Sequence, residues 1–196
     1  MPKPDYKKLL DEVRSCTLCV AHLPMGANPV LQVHPKARIL VVGQAPGIKV
    51  HRSGIPFDDQ SGIRLRDWMG IDSSVFYDPM KIAILPMGFC YPGTGKSGDL
   101  PPRKECADTW REKLLSMLTD IDLALIIGNY SINWHMKDLK KKNLTETVKE
   151  WKKHISNGVL PLPHPSPRNN IWLKKNPWFE KEVIPQLRLE ISSILK

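Results

Sequence analysis

Four short apolar runs punctuate the chain, and each ends abruptly in a turn rich in glycine, proline or polar residues. Arg38-Ile39-Leu40-Val41-Val42-Gly43 breaks at Gly43-Gln44-Ala45-Pro46-Gly47, and Lys81-Ile82-Ala83-Ile84-Leu85 breaks at Pro86-Met87-Gly88-Phe89-Cys90. Leu123-Ala124-Leu125-Ile126-Ile127 stops at Gly128-Asn129-Tyr130, and Gly158-Val159-Leu160-Pro161-Leu162 stops at Pro163-His164-Pro165-Ser166-Pro167. Apolar runs without polar alternation suit strands that are covered on both faces. Between them the spacing turns helical. Residues 61–70 set Ile63, Leu65 and Trp68 near one face, and residues 102–118 set Cys106, Trp110, Leu114 and Met117 at helical intervals. Ser131–Leu139, Thr145–His154, residues 171–187 and the N-terminal Pro4–Arg14 read as further helices, the last with Tyr6, Leu9, Leu10 and Val13 on its apolar side. Strands alternating with helices predict βαβ units, and so an α/β three-layer α/β/α sandwich around a four-stranded, mainly parallel sheet. Ligands of such folds bind beyond the carboxyl ends of the strands, so the four turns should converge on one cleft.

The chain has 196 residues, 41% hydrophobic and 25% charged, without an internal repeat, a low-complexity stretch or a linker. One domain, residues 1–196, is expected, and fibrous, coiled-coil and mostly disordered classes are excluded. No stretch approaches the roughly 20 apolar residues that span a bilayer. The start, Met1-Pro2-Lys3-Pro4-Asp5, turns polar at once and has no signal-peptide core, so a cytoplasmic protein is expected, and a monomer is the expected state. Lys and Arg outnumber Asp and Glu by 29 to 20, for a formal charge of +9, and Ser131 to Lys175 holds ten basic and three acidic residues. A surplus of this size selects a polyanionic partner, DNA before a membrane surface.

The four cysteines stand at 16, 19, 90 and 106. A reducing compartment disfavours disulfides, whereas Cys16-Thr17-Leu18-Cys19 has the spacing that turns two thiolates toward one metal centre. Cys90 follows the second strand, and Cys106 comes after fifteen intervening residues. Four thiolates suit either zinc or an iron–sulfur cluster. The alternative is four buried thiols serving as small hydrophobes.

With these residues in view, the chain resembles the uracil-DNA glycosylase superfamily, most closely its iron–sulfur family 4 type. Gly43-Gln44-Ala45-Pro46-Gly47 is similar to the first motif (G-E-A-P-G), and Ser53-Gly54-Ile55-Pro56-Phe57 followed by Ser61-Gly62 is similar to the G-x-P-F-x-x-x-[SA]-G segment. His164-Pro165-Ser166-Pro167 resembles the second motif, and the C-x2-C and C-x15-C spacings match the cluster ligands. The likeness runs in consistent order from about Asp11 to Gln186. It implies an α/β/α sandwich, hydrolysis of the bond between a damaged base and deoxyribose, and a [4Fe-4S] cluster on Cys16, Cys19, Cys90 and Cys106, with structural zinc as the alternative. It also implies that Gly43, Ala45, Pro46, Gly47, Ser166 and Arg168 contact the substrate and that Phe57 stacks on the base.

Such a reaction builds positive charge on the sugar and negative charge on the departing base, and the base must first leave the stack. His164, held between prolines just past a strand, is the candidate donor to a base carbonyl, and His51 lies near enough to the first motif to enter the same pocket. Pro165 to Asn170 is a rigid loop suited to the minor groove, where prolines can unstack bases. Arg168, Lys174 and Lys175 would hold flanking phosphates, while Trp172 and Trp178 read as core. Two positions depart from the family pattern. Gln44 replaces the acid of the first motif and cannot act as a base, so Asp58 or Asp59 would have to supply the carboxylate. Pro86 stands where an asparagine usually reads the base edge. The leading expectation is a monofunctional DNA glycosylase for uracil or another deaminated base. The alternative is a non-catalytic binder of damaged or single-stranded DNA on the same fold.

Overall fold

A computed structural model describes residues 5–96 and 98–196; the reading of Met1 to Pro4 lies outside the described residues. The four apolar runs form strands β1 (Ile39–Val42), β2 (Ile82–Ile84), β5 (Leu123–Ile127) and β6 (Val159–Leu162), and a short hairpin of β3 (Thr94–Gly95) and β4 (Gly98–Asp99) stands apart. All pairings in the main sheet are parallel, in the order β2-β1-β5-β6. The order reverses between β1 and β5, which opens a crevice at the carboxyl ends.

Successive strand side chains point to opposite faces, and both faces are covered. Ile39 and Val41 pack with Leu65 and Trp68 of α3 (Gln60–Met69), Val148 of α7 (Leu144–Lys149), Trp151 of α8 (Trp151–Ile155) and Leu187 of α10 (Ile184–Ile194). Leu40 and Val42 pack with Leu9, Leu10 and Val13 of α1 (Tyr6–Arg14), Leu114 of α5 (Lys104–Leu115) and Ile132 of α6 (Gly128–His135). This is the three-layer α/β/α sandwich that the apolar runs predict. The outer edge of β2 is covered as well, because Gln32 exchanges backbone hydrogen bonds with Ile84 and its amide donates to the Phe76 and Ile82 carbonyls. Among the described residues no helix is long and apolar enough to cross a membrane.

Several elements differ from expectation, each for a local reason. Ile63 is 55% exposed, since the buried face of α3 is set by Leu65, Trp68 and Met69. The expected helix over Thr145–His154 is two, α7 and α8, with Glu150 turning out of helical geometry between them. The apolar register of 171–187 is interrupted: α9 (Asn170–Lys175) ends before Asn176, which Pro177 forces toward extended backbone at φ −129°. Two short helices, α2 (Ile48–Ser53) and α4 (Ser73–Phe76), carry too few apolar positions to stand out in the sequence. After β5 the chain enters α6 directly at Gly128, with φ +80°. This turn lies behind His164, whose Cβ is 4.0 Å from where a Cβ on Gly128 would stand, so it backs the cleft while the other three turns line it.

Arg111 of α5 is wholly buried and holds the segment after β2 in place. Its guanidinium donates to the Leu85 carbonyl at 2.7 Å and the Pro86 carbonyl at 3.3 Å and lies over the Trp134 ring. Burial without a carboxylate partner pulls its pKa down to about 10. Arg111→Met removes the donor from two buried carbonyls, which should cost about 3 kcal/mol. Thermal denaturation should then show a midpoint lower by roughly 6–12 °C; an unchanged midpoint would mean that the carbonyls find other donors.

Candidate functional site

Beyond the carboxyl ends of β1, β2 and β6 lies an open cleft of about 530 Å³. Gly43 to Gly47 form one wall, Pro56, Phe57 and Ser61 another, Pro86 the floor side, and His164 with Ser166 to Asn169 the far side. The two loops above β1 and β2 continue the pairing of their strands, since the Met87 and Gly88 N–H groups donate to the Gly43 and Gln44 carbonyls at 3.0 Å each. Hence Gln44, Phe57 and His164, far apart in sequence, face one cavity.

Phe57 sits in the left-handed region at φ +55°, the only non-glycine residue to do so among those described. This conformation costs about 1–3 kcal/mol and persists only where the surroundings enforce it. Here they do. A Cβ at Gly62 would stand 1.7 Å from the Phe57 carbonyl oxygen, and one at Gly43 would stand 3.1 Å from the ring tip. Two glycines therefore admit Phe57, one under its backbone and one under its ring, and Phe76 meets the ring edge-on at 6.2 Å. The result is a half-buried aromatic platform in the cleft wall.

His164 is held by the loop that follows it. The Ser166 N–H donates to Nδ1 at 3.3 Å, which puts the proton of the neutral ring on Nε2. The Asn169 amide donates to the His164 carbonyl at 2.7 Å, Arg64 reaches the Ser166 carbonyl at 3.1 Å, and the Ser166 hydroxyl caps the turn by accepting from the Arg168 N–H. Burial pushes the imidazole pKa below its usual 6.5, against the smaller opposing effect of Asp59 and Asp99. His164 is thus a neutral donor at neutral pH.

The acids do not fall as expected. Asp58 is exposed and does not line the cleft; its charge acts on the Tyr77 hydroxyl instead. Asp59 does line the cleft, but its Oδ1 caps α3 by accepting from the Gly62 N–H at 2.9 Å. Adjacent positions near a helix start point in different directions, and one of the two was bound to turn away. His51 also misses the cleft: its ring packs toward Tyr91. Two charged lining residues carried no signal in the sequence. Lys49 of α2 belongs to a helix too short to read, and Asp99 rides on the β3–β4 hairpin, whose two-residue strands leave no periodic signal. The Gln44 side chain has no hydrogen-bond partner among the described residues, so its amide is available to a ligand.

Arg168 stands at the rim, with Nη1 only 2.1 Å from where a Cβ on Gly98 would be, so the guanidinium lies directly on the hairpin backbone. Trp172 donates to the Thr145 hydroxyl at 2.8 Å and packs with Trp178 and Phe179, which makes both tryptophans structural. Lys140, Lys142, Lys149, Lys152, Lys153, Lys174 and Lys175 are exposed.

On the opposite side of the Pro86 segment, Cys16, Cys19, Cys90 and Cys106 line one small cavity with Leu18, Leu23 and Phe89. Two N–H groups point at sulfur: Phe89 N–H to Cys106 Sγ and Trp110 Nε1–H to Cys16 Sγ, each at 3.3 Å. Burial raises the thiols of Cys19, Cys90 and Cys106, the last to about 12. Such a donor set is chemically suited to a metal centre, whose positive charge would favour the thiolates that burial disfavours. Among the described residues no three His, Cys, Asp or Glu side chains are gathered closely enough to hold a single metal ion.

Because the His164 pKa is depressed, the neutral ring prevails above pH 6.5. As pH falls through the lower folded value Nδ1 takes a proton, the hydrogen bond from the Ser166 N–H is lost, and the residue's contribution to stability is lost with it. The Nε2–H donor is retained, on a ring that now carries charge. Imidazole NMR of the folded protein should show His164 titrating below 6.5 with the proton on Nε2. A midpoint at or above 6.5 would contradict the buried, neutral assignment.

Compared with known families, residues 31–188 match the family described as Uracil DNA glycosylase superfamily. The matched stretch includes the first motif, Phe57, Asp99, His164 and Arg168, together with Cys90 and Cys106; Cys16 and Cys19 precede it.

Proposed function

The chain belongs to the uracil-DNA glycosylase superfamily, and from that premise we propose that it is a monofunctional base-excision glycosylase of the iron–sulfur family 4 type, acting on uracil or another deaminated base extruded from DNA. The observation that carries this reading is the convergence of Gln44, Phe57 and His164 on one cleft at the carboxyl rim of the sheet. An extruded base loses its stacking partners, and the Phe57 face offers a replacement. As the glycosidic bond breaks, negative charge collects on the base carbonyl. The His164 Nε2–H is a preorganised donor for that oxygen, and a neutral imidazole does not need to lose a proton to serve. Gln44 brings one acceptor and one donor, complementary to the adjacent N–H and C=O of a deaminated base. It brings no charge. Pro86, without a side-chain amide or N–H, supplies only apolar shape at the floor.

The flanking cations give the duplex its seat. Lys49 and Arg168 border the cleft, and exposed lysines of residues 140–153 with Lys174 and Lys175 add to the positive charge of the surface. Contacts of this kind position a phosphate backbone without reading its sequence. The turn Pro167–Asn169, anchored through Ser166 and Asn169, is the exposed element that would press between base pairs.

Cys16, Cys19, Cys90 and Cys106 would hold the [4Fe-4S] cluster, which would crosslink the segments around the Pro86 loop. Structural zinc, which also takes four thiolates, is the alternative occupant of the same four sulfurs. No catalytic step depends on the cluster in this reading.

Two measurements test these assignments. Purified protein should release base from oligonucleotides carrying uracil, hypoxanthine or xanthine, read as alkali-labile breaks, and His164→Ala should slow that release at least ~10²-fold. Binding without breaks from any lesion would favour the non-catalytic DNA binder. Anaerobically purified protein should be brown and carry about four irons and four sulfides per chain; stoichiometric zinc in colourless protein would replace the cluster assignment.

A further inference from the structure

Hydrolysis of a glycosidic bond leaves cationic character on the sugar and requires a group that can accept a proton from water. The Gln44 amide can do neither. Within the cleft the described carboxylates are Asp59 and Asp99. Asp59 is committed, since its Oδ1 caps α3 beside the strained Phe57. Asp99 is not: among the described residues its side chain makes no hydrogen bond or ion pair.

We infer that Asp99, carried into the cleft by the β3–β4 hairpin, is the carboxylate that faces the sugar and takes the proton from the attacking water. This rests on the base-excision reading above. Its geometry supports the assignment from three sides. Asp99 Oδ2 lies 3.5 Å from where a Cβ on Gly47 would stand, so it presses against the backbone of the wall that carries Gln44. The hairpin pairs Thr94 with Asp99, and the Thr94 hydroxyl is hydrogen-bonded to Tyr91, which is buried, so the strand is held from the protein side. Arg168 lies on Gly98, next in the chain, and joins the hairpin to the loop of His164. The charges of Asp59 and Asp99 both reach the His164 ring, that of Asp59 the more strongly, so the distinction between the two acids rests on the capping bond of Asp59.

In the step assigned here the C1′–N bond breaks and its electron pair leaves on the base, whose carbonyl oxygen is met by His164. A lone pair of water forms the new C1′–O bond, one water proton passes to the Asp99 carboxylate, and that proton is then returned to the base anion. Base and sugar hemiacetal are the products, with nothing else consumed.

The test compares single-turnover base release by wild type, Asp99→Asn, Asp99→Glu and Asp59→Asn across the same lesion panel, with lesion-DNA affinity measured in parallel. Asp99→Asn should release base at least ~10²-fold more slowly while binding lesion DNA as wild type does, and it should lose the acid limb of the pH–rate profile. Asp99→Glu should restore part of the rate. An active wild type with Asp99→Asn equally fast, or with only Asp59→Asn impaired, overturns the role of Asp99 and leaves base excision standing. A wild type that releases no base from any lesion overturns both.

Discussion

The stretch from Leu85 to Cys90 is the constraint on which both candidate centres depend. Leu85 still pairs with β1 through the Val41 carbonyl, Met87 and Gly88 bond to the first-motif loop, and Phe89 donates to Cys106 sulfur. A few residues of chain thus form the floor of the cleft on one side and the wall of the cysteine cavity on the other. Arg111 secures the segment from below through the Leu85 and Pro86 carbonyls. Burying a guanidinium with only carbonyl, thioether and aromatic partners is costly, and the fold tolerates it where a segment must not shift.

Within the cleft, the electrostatic roles are separated by environment. His164 lies deep enough for burial to keep it neutral, with its tautomer set by the Ser166 N–H. Asp99 stands at the exposed rim on a different element, where an anion keeps its hydration. A neutral donor and an ionised carboxylate need these opposite surroundings, and one cleft provides both because its walls come from a strand end and a hairpin.

Phe57 shows a second division of labour. Its ring can lie in the cleft only because the backbone is held in a conformation that phenylalanine ordinarily avoids; that backbone depends on the absence of a side chain at Gly62, and the seat of the ring on the absence of one at Gly43. The Ser61-Gly62 pair is therefore part of the platform, although neither residue presents an aromatic surface of its own. The cap from Asp59 to Gly62 fixes the same corner, which is why this acid is structural while its neighbour Asp58 is left in solvent.

The layers of the fold were legible from the chain alone because each strand is a continuous apolar run that ends in a sharp turn, and a run covered on both faces has few other solutions. The gathering of the first motif and His164 followed from the same rule, since parallel strands place their carboxyl ends at one rim; Phe57, which follows no strand, was indicated only by the family resemblance. What the linear pattern could not carry was any property set by direction rather than by type. Whether Asp58 or Asp59 turned inward, whether His51 entered the cleft, and that the turn after β5 backs it rather than lining it, depended on dihedral angles at single residues. Asp99 was beyond reach for a related reason: a hairpin of two-residue strands has no period to detect, and its place beside Gly47 exists only after the segments around it have packed.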